Sequence, residues 1–233
     1  MPALRILSPR ALPTALASFL AAILRHTVQQ QGRTSFALAG GTTPQTTYAA
    51  LAGPPLRAIV PWHVIDVFFG DERAVPPDHP HSNYHMAMKA LIEPLGLPAG
   101  HVHRMHADDA DLAAAARAYD AILPDRLDLL LLGIGDDGHT ASLFPGSPAR
   151  SEQGRRVVPA RAPRPPFDRL TITPPVIAAA HHVVVLAAGA GKADAVRRAL
   201  ADDADPVLVP AALARHGTWF LDTAAAAGLG AIP

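Results

Sequence analysis

The chain has 233 residues, 49% of them hydrophobic, and its 20 basic side chains balance 20 acidic ones, for a formal net charge of zero. That balance excludes a whole-molecule attraction to nucleic acid or to an anionic membrane, so any anion site must be local. The absence of cysteine excludes disulfides, thiolate metal sites and a thiol nucleophile.

The length suits one α/β unit over residues 1–233, and the hydrophobic content argues against reading the 24 prolines as disorder. Met1 to Arg5 shows no basic segment leading into an apolar core, so no secretory leader is expected. No apolar run approaches the roughly 20 residues of a membrane span. A cytoplasmic protein without a membrane partner is expected, and a monomer is favoured.

From the N-terminus, Leu12, Leu16, Phe19, Leu20, Ile23 and Leu24 recur at helical spacing and predict an amphipathic helix over about 10–30. Ser35 to Ala39 reads as a strand. It runs into Gly40-Gly41-Thr42-Thr43-Pro44, where a threonine cap and a proline at the first helical position would open a helix. Val64 to Phe69 is a second strand, ending at Gly70-Asp71-Glu72-Arg73. Ser82 or Asn83 is placed to cap a helix carrying Met86, Ala87 and Leu91, and Asp111 to Ile122 reads as another helix. Leu127 to Leu132 is almost wholly apolar, as a central strand of a parallel sheet covered on both faces should be. Leu170 to Thr173, His182 to Ala187 and Thr218 to Leu221 read as further strands, with helices over Pro174 to Ala180 and Lys192 to Leu200. The alternation predicts an α/β fold of Rossmann-like type, a mostly parallel sheet with helices on both faces. Ligands of such sheets bind beyond the carboxyl ends of the strands, where the polar and glycine-rich clusters of this chain lie.

Four clusters stand there. Gly40 to Pro44 lets backbone N–H groups and a helix N-terminus face a phosphate, although alone it also fits an ordinary capped turn. Gly70-Asp71-Glu72-Arg73 offers Arg73 to a phosphate, held by Asp71 or Glu72, or else a surface ion-pair cluster. Gly133 to Ser142 formally contains G-x-G-x-x-G. A dinucleotide reading is opposed by Pro145-Gly146 soon after it and by the acidic Asp136-Asp137 pair. His139, oriented by Asp137, is the better general-base candidate, and a loop histidine without a role is its alternative. Gly189-Ala190-Gly191-Lys192 resembles the end of a nucleotide-binding P-loop, but Leu186 and Ala193 stand where that motif needs glycine and a hydroxyl. Lys192 remains available either as a point charge for an anion or as a solvated helix lysine. The histidine groups His79, His81, His85 and His101, His103, His106 lack the spacing of a metal motif, so no metal is expected.

Taken together, Ala39 to Pro44, Phe69 to Arg73 with Val75 to Pro80 and Ser82-Asn83-Tyr84, Leu132 to Gly146, Leu170 to Pro175, and Gly189 to Lys192 resemble the 6-phosphogluconolactonase family, over about Phe36 to Leu200. Three positions depart from it: Ala39 stands where serine is usual, Asp136 where proline is usual, and His81 where aspartate is common. The resemblance implies a fold shared with glucosamine-6-phosphate deaminases and ribose-5-phosphate isomerases. It also implies hydrolysis of 6-phospho-D-glucono-1,5-lactone to 6-phosphogluconate in the pentose phosphate pathway, with no metal or organic cofactor. His139 and Asp137 would be the catalytic pair, and Gly40, Gly41, Thr42, Thr43, Asp71, Arg73, Asn83, Ser142 and Lys192 the substrate- and phosphate-binding set. A deaminase of related fold and a non-catalytic sugar-phosphate sensor are the alternatives. Arg73 after Asp71-Glu72, and Thr140 to Pro145 after the histidine, resemble the lactonase rather than the deaminase.

Overall fold

A computed structural model describes residues 2–230. The chain runs β1 (Ala3–Leu7), α1 (Leu12–Gln31), β2 (Thr34–Leu38), α2 (Thr42–Ala52), α3 (Leu56–Ile59), β3 (Ile65–Phe69), β4 (Asp71–Arg73), α4 (Asn83–Ala87), α5 (Glu93–Leu95) and α6 (Leu112–Ile122). It continues β5 (Leu129–Gly133), β6 (Val157–Arg161), β7 (Asp168–Ile172), α7 (Pro174–Ala179), β8 (His182–Ala187), α8 (Ala193–Leu200) and β9 (Thr218–Asp222).

Six strands form one sheet in the order β1-β9-β8-β5-β2-β3, every neighbouring pair parallel. The chain steps from β2 outward to β3, then from β5 to β8 and β9 in the opposite direction. Crossovers between parallel strands are right-handed as a rule, so steps in opposite directions send their helices to opposite faces and leave a switch point between β2 and β5. Phe36, Ala37, Leu38, and Leu129 to Leu132 on these two strands are fully buried. That is why their sequences read as continuous apolar runs rather than alternations.

The helices follow their local chemistry. Along α1, Leu12, Leu16, Leu20 and Leu24 face the core, and the helix ends at Gly32, which takes the left-handed φ of 79° and returns its amide to the Val28 carbonyl. Asp111 caps α6 by accepting from the Ala114 amide at 2.9 Å. Between Ser82 and Asn83 the cap is Ser82, whose hydroxyl accepts from the His85 amide.

The structure departs from the sequence expectations at the start of α2 and at Leu170 to Thr173. The helix after β2 begins at Thr42 with Gly41 as its cap, not at Pro44 with a threonine cap, because the cap position takes φ 96°, which favours glycine. Leu170 to Thr173 does form a strand, but outside the parallel sheet: β4, β7 and β6 make a separate antiparallel sheet in that order. The chain passes between the sheets at Gly70. Its amide donates to Leu38 of β2 at 3.0 Å, while its carbonyl accepts from the Ile172 amide of β7 at 2.9 Å. Buried apolar side chains of both sheets belong to one contiguous cluster, from Leu12 to Ala226.

Candidate active site

A cleft of about 490 Å³ opens at the switch point, walled by the segments that follow β2, β3, β5 and β8 and by the β6–β7 hairpin. It brings together Gly40 to Thr43, Asp71, Arg73, Asp137, His139, Ser142 and Lys192. Asn83 does not line it.

The loop after β5 builds the histidine site. Gly135 donates its amide to the His139 carbonyl at 2.8 Å, and Thr140 Oγ1 donates to the Gly133 carbonyl at 2.8 Å, folding the loop back on the strand end. One oxygen of Asp137 accepts from both the His139 amide at 3.0 Å and the ring Nδ1 at 2.6 Å. With the proton on Nδ1, the Nε2 lone pair is the acceptor. Partial burial works to raise Asp137, but the His139 contacts outweigh it and lower the carboxyl to about 2. The ring lies 4.7 Å from the Phe144 ring and packs against Gly135 through its Nδ1–Cε1 edge. A Cβ there would stand 2.1 Å from Nδ1 and 2.5 Å from Asp137 Oδ1, so only glycine leaves room for the pair. Ala141, two residues after His139, holds a left-handed φ of 47°, an uncommon conformation for a residue with a side chain.

The loop after β2 supplies donors. Gly41 caps α2, and Thr42 and Thr43 begin it, so their amides belong to the unpaired first turn of a helix. Gly40 is packed beneath by Asn83, whose side-chain atoms would lie 2.0–2.2 Å from a Cβ at that position. Asn83 Nδ2 donates to the Asp71 carbonyl at 2.8 Å and to Asp71 Oδ1 at 3.1 Å. The place of Asn83 is therefore under the loop, supporting Asp71.

The small sheet supplies charge. Side chains alternate along a strand, so Asp71 and Arg73 share a face and Glu72 points the other way. Glu72 is buried and accepts from the amides of Asn83 and Tyr84, both at 2.7 Å, and of Arg73 at 2.8 Å. Burial raises its carboxyl, and these three amides oppose the shift. Glu72 thus anchors the start of α4 and does not orient the Arg73 guanidinium. Nor does Asp71, which accepts from Ser142 Oγ at 2.6 Å through its second oxygen. Arg73 is held instead by the His81 carbonyl, to which Nη1 donates at 2.5 Å. Ser142 is buried, and its amide donates to Thr171 Oγ1 of β7 at 3.1 Å. One residue three places after His139 therefore ties the β5 loop to the small sheet.

Lys192 ends a short turn, Ala190–Lys192, whose preceding Gly189 has φ 90° and donates its amide to Asp222 Oδ2 at 2.9 Å. Lys192 has no carboxylate within ion-pair distance among the described residues. Desolvation works to raise the Asp136 carboxyl, but Arg164, which pairs with it at 3.5 Å, and Lys192 together outweigh that and draw it below the ordinary carboxylate range.

Two arginines of the β6–β7 region, Arg164 and Arg169, line the cleft although the sequence motifs did not point to them. The histidine groups serve elsewhere. His79 Nδ1 accepts from the His81 amide at 3.0 Å, and His101 and His103 converge on Asp66 at 3.3 and 3.1 Å. Among the described residues the group with metal-ligand spacing is the exposed His106, Asp108 and Asp109, where Asp108 is already engaged by Arg104 at 2.8 Å.

These features define a Rossmann-like α/β protein with a histidine–aspartate pair and several cations in a cleft at its switch point. The model of the family described as glucosamine-6-phosphate isomerases/6-phosphogluconolactonase matches residues 7–221, and the chain belongs to that family. It is similar to the 6-phosphogluconolactonase of Nostoc sp., 39% identical over 215 residues that make up 87% of each chain. It is also similar to that of Streptomyces coelicolor, 40% identical over 218 residues, 85% of this chain and 83% of the other. The solved 6-phosphogluconolactonase of Trypanosoma brucei superposes with a TM-score of 0.88 at 32% identity, covering 99% of both chains.

Proposed function

We propose that this chain hydrolyses 6-phospho-D-glucono-1,5-lactone to 6-phosphogluconate, the lactone-opening step of the oxidative pentose phosphate pathway. The observation that carries the reading is the 2.6 Å contact of Asp137 with His139 Nδ1 inside a cleft also lined by Arg73 and Lys192. Relatives named 6-phosphogluconolactonase at 39–40% identity support it.

In this mechanism the substrate phosphate, close to a dianion at neutral pH, is held by Arg73, Lys192 and the amides of Gly41 to Thr43. Nε2 of His139 takes a proton from water as its oxygen bonds to C1. Asp137 stabilises the imidazolium that forms, as a carboxylate held near 2 remains ionised throughout the neutral range. The bond from C1 to the ring oxygen then breaks, and His139 returns its proton to that oxygen. No step calls for a metal or organic cofactor. A monomeric, cytoplasmic enzyme is part of the proposal, and size-exclusion chromatography tests the first half.

The assay is release of 6-phosphogluconate from freshly made lactone, coupled to a dehydrogenase and corrected for spontaneous opening. Ammonia release from glucosamine 6-phosphate without lactone hydrolysis would replace this reading with a deaminase. Binding of 6-phosphogluconate with no turnover would make the protein a sensor. Turnover should also survive exhaustive chelation; loss of it, with recovery on adding zinc or magnesium, would remove His139 from the water-activating role.

A further inference from the structure

The antiparallel register of the small sheet sets Arg73 directly opposite Arg169, and both line the cleft. Opposed residues of an antiparallel pair share a face with their Cβ atoms about 5 Å apart, and like charges so placed repel. Arg169 is 8% exposed. Its Nε donates to the Pro166 carbonyl at 2.9 Å, and no carboxylate lies within 4 Å of it among the described residues. Burial is the main influence drawing this guanidinium downward, with Arg73 adding to it and Asp71 and Glu72 opposing. A buried cation beside a second cation is unfavourable unless an anion joins them. Asp71, the acid on the same face, is already occupied by Ser142 and Asn83.

We propose that Arg169 is a substrate-binding residue, the second half of a two-arginine clamp with Arg73 that closes on the phosphate dianion. A dianion is the ligand that matches the pair. It offsets both guanidinium charges and presents three acceptor oxygens, whereas the neutral lactone carbonyl offsets neither. The backbone register fixes the spacing of the two groups before substrate arrives, which limits the ordering that binding must impose. The clamp rests on the lactonase reading for the identity of its substrate but not for its preference for phosphate.

Two variants test it: Arg169→Met, which keeps length without charge, and Arg169→Lys, which keeps charge without the fork. For 6-phosphogluconolactone, KM should rise roughly ten- to a hundredfold in Arg169→Met, as for loss of a charge-assisted hydrogen bond, and less in Arg169→Lys. The loss on unphosphorylated gluconolactone should be several-fold smaller. Independently of turnover, inorganic phosphate should raise the melting temperature of the wild-type protein and raise that of either variant much less. If Arg169→Met fails to fold, Arg169→Lys carries both measurements. A folded variant with wild-type KM and wild-type stabilisation by phosphate overturns the clamp, and so does an equal loss on both lactones, which would put Arg169 at the carbonyl end. A wild-type protein stabilised by phosphate but inert toward the lactone would sink the functional reading and leave the clamp to be decided by the phosphate measurement.

Discussion

The two sheets meet at one cleft but contribute different things to it. The large parallel sheet delivers backbone geometry: after β2 a glycine cap that sets the unpaired first turn of a helix at the cleft wall, and after β5 a tight loop that seats His139 against Gly135. The small antiparallel sheet delivers charge, because pairing β4 with β7 stacks Asp71, Arg73, Arg169 and Thr171 on one face. The first kind of contribution depends on what one loop does with its own residues. The second depends on which residues of distant segments come to lie opposite each other. Under the proposed function the difference is also kinetic: the β5 loop acts on the reacting carbon, and the small sheet on substrate capture.

The largest expected effect falls on the β5 loop. His139→Asn should lower kcat by about 10²–10⁴-fold while leaving 6-phosphogluconate affinity nearly intact, as removal of a general base does. A folded variant with wild-type kcat would move the base elsewhere, Asp71 and Asp137 being next in line. Gly135→Ala is a subtler blow at the same point. Its Cβ would stand 2.1 Å from Nδ1 and must push the ring aside, so kcat should drop on the order of 10²-fold, the scale of an ångström-sized misplacement. An unimpaired kcat there would mean that the seat of His139 is not what positions the ring.

On the small sheet the split should reverse. Arg73→Ala should raise KM by about ten- to a hundredfold with a smaller change in kcat, since a contact to phosphate exists in both ground and transition states. A fall confined to kcat would erase the proposed division between the sheets. The smallest effect is one of stability. Asp137 is lowered to about 2 in the folded chain from an ordinary value of 3.8. Its stabilisation is therefore fully present above about pH 4 and is lost as pH falls toward 2. Asp137→Asn should accordingly unfold at lower urea concentration than wild type at pH 5, and the gap should narrow by pH 2.5. A constant gap across that range would detach the stabilisation from this carboxylate.

What the sequence disclosed divides along the same line. Strands β2, β5 and β8 are buried apolar runs, and His182 to Ala187 is found with the bounds its composition suggested. β1 escaped notice because it is an edge strand, largely exposed, with no apolar run to betray it. β4 is three charged residues, and β6 carries Pro159 on the edge of its sheet, where a missing amide is tolerated. Arg169 was invisible for a deeper reason: nothing local distinguishes it from any strand arginine until the pairing with Arg73 is known. Of the two acids offered to the Arg73 guanidinium, strict alternation alone rules out Glu72, since it sends residues 72 and 73 to opposite faces, whereas the engagement of Asp71 by Ser142 and Asn83 is visible only in the fold.

Gly70 carries a consequence for how the molecule comes apart. Its amide is bonded to β2 and its carbonyl to β7, so a single residue is a rung in the hydrogen-bonding of both sheets. Ser142 adds a second rivet by joining the β5 loop to Asp71 and Thr171. Opening the small sheet on its own would strip hydrogen bonds from buried atoms of the large one, so the two sheets should belong to one cooperative unit in hydrogen exchange rather than to separate ones. Partial unfolding then offers no state in which the arginines detach while the histidine loop stays in order: the cleft is lost as a whole or kept as a whole.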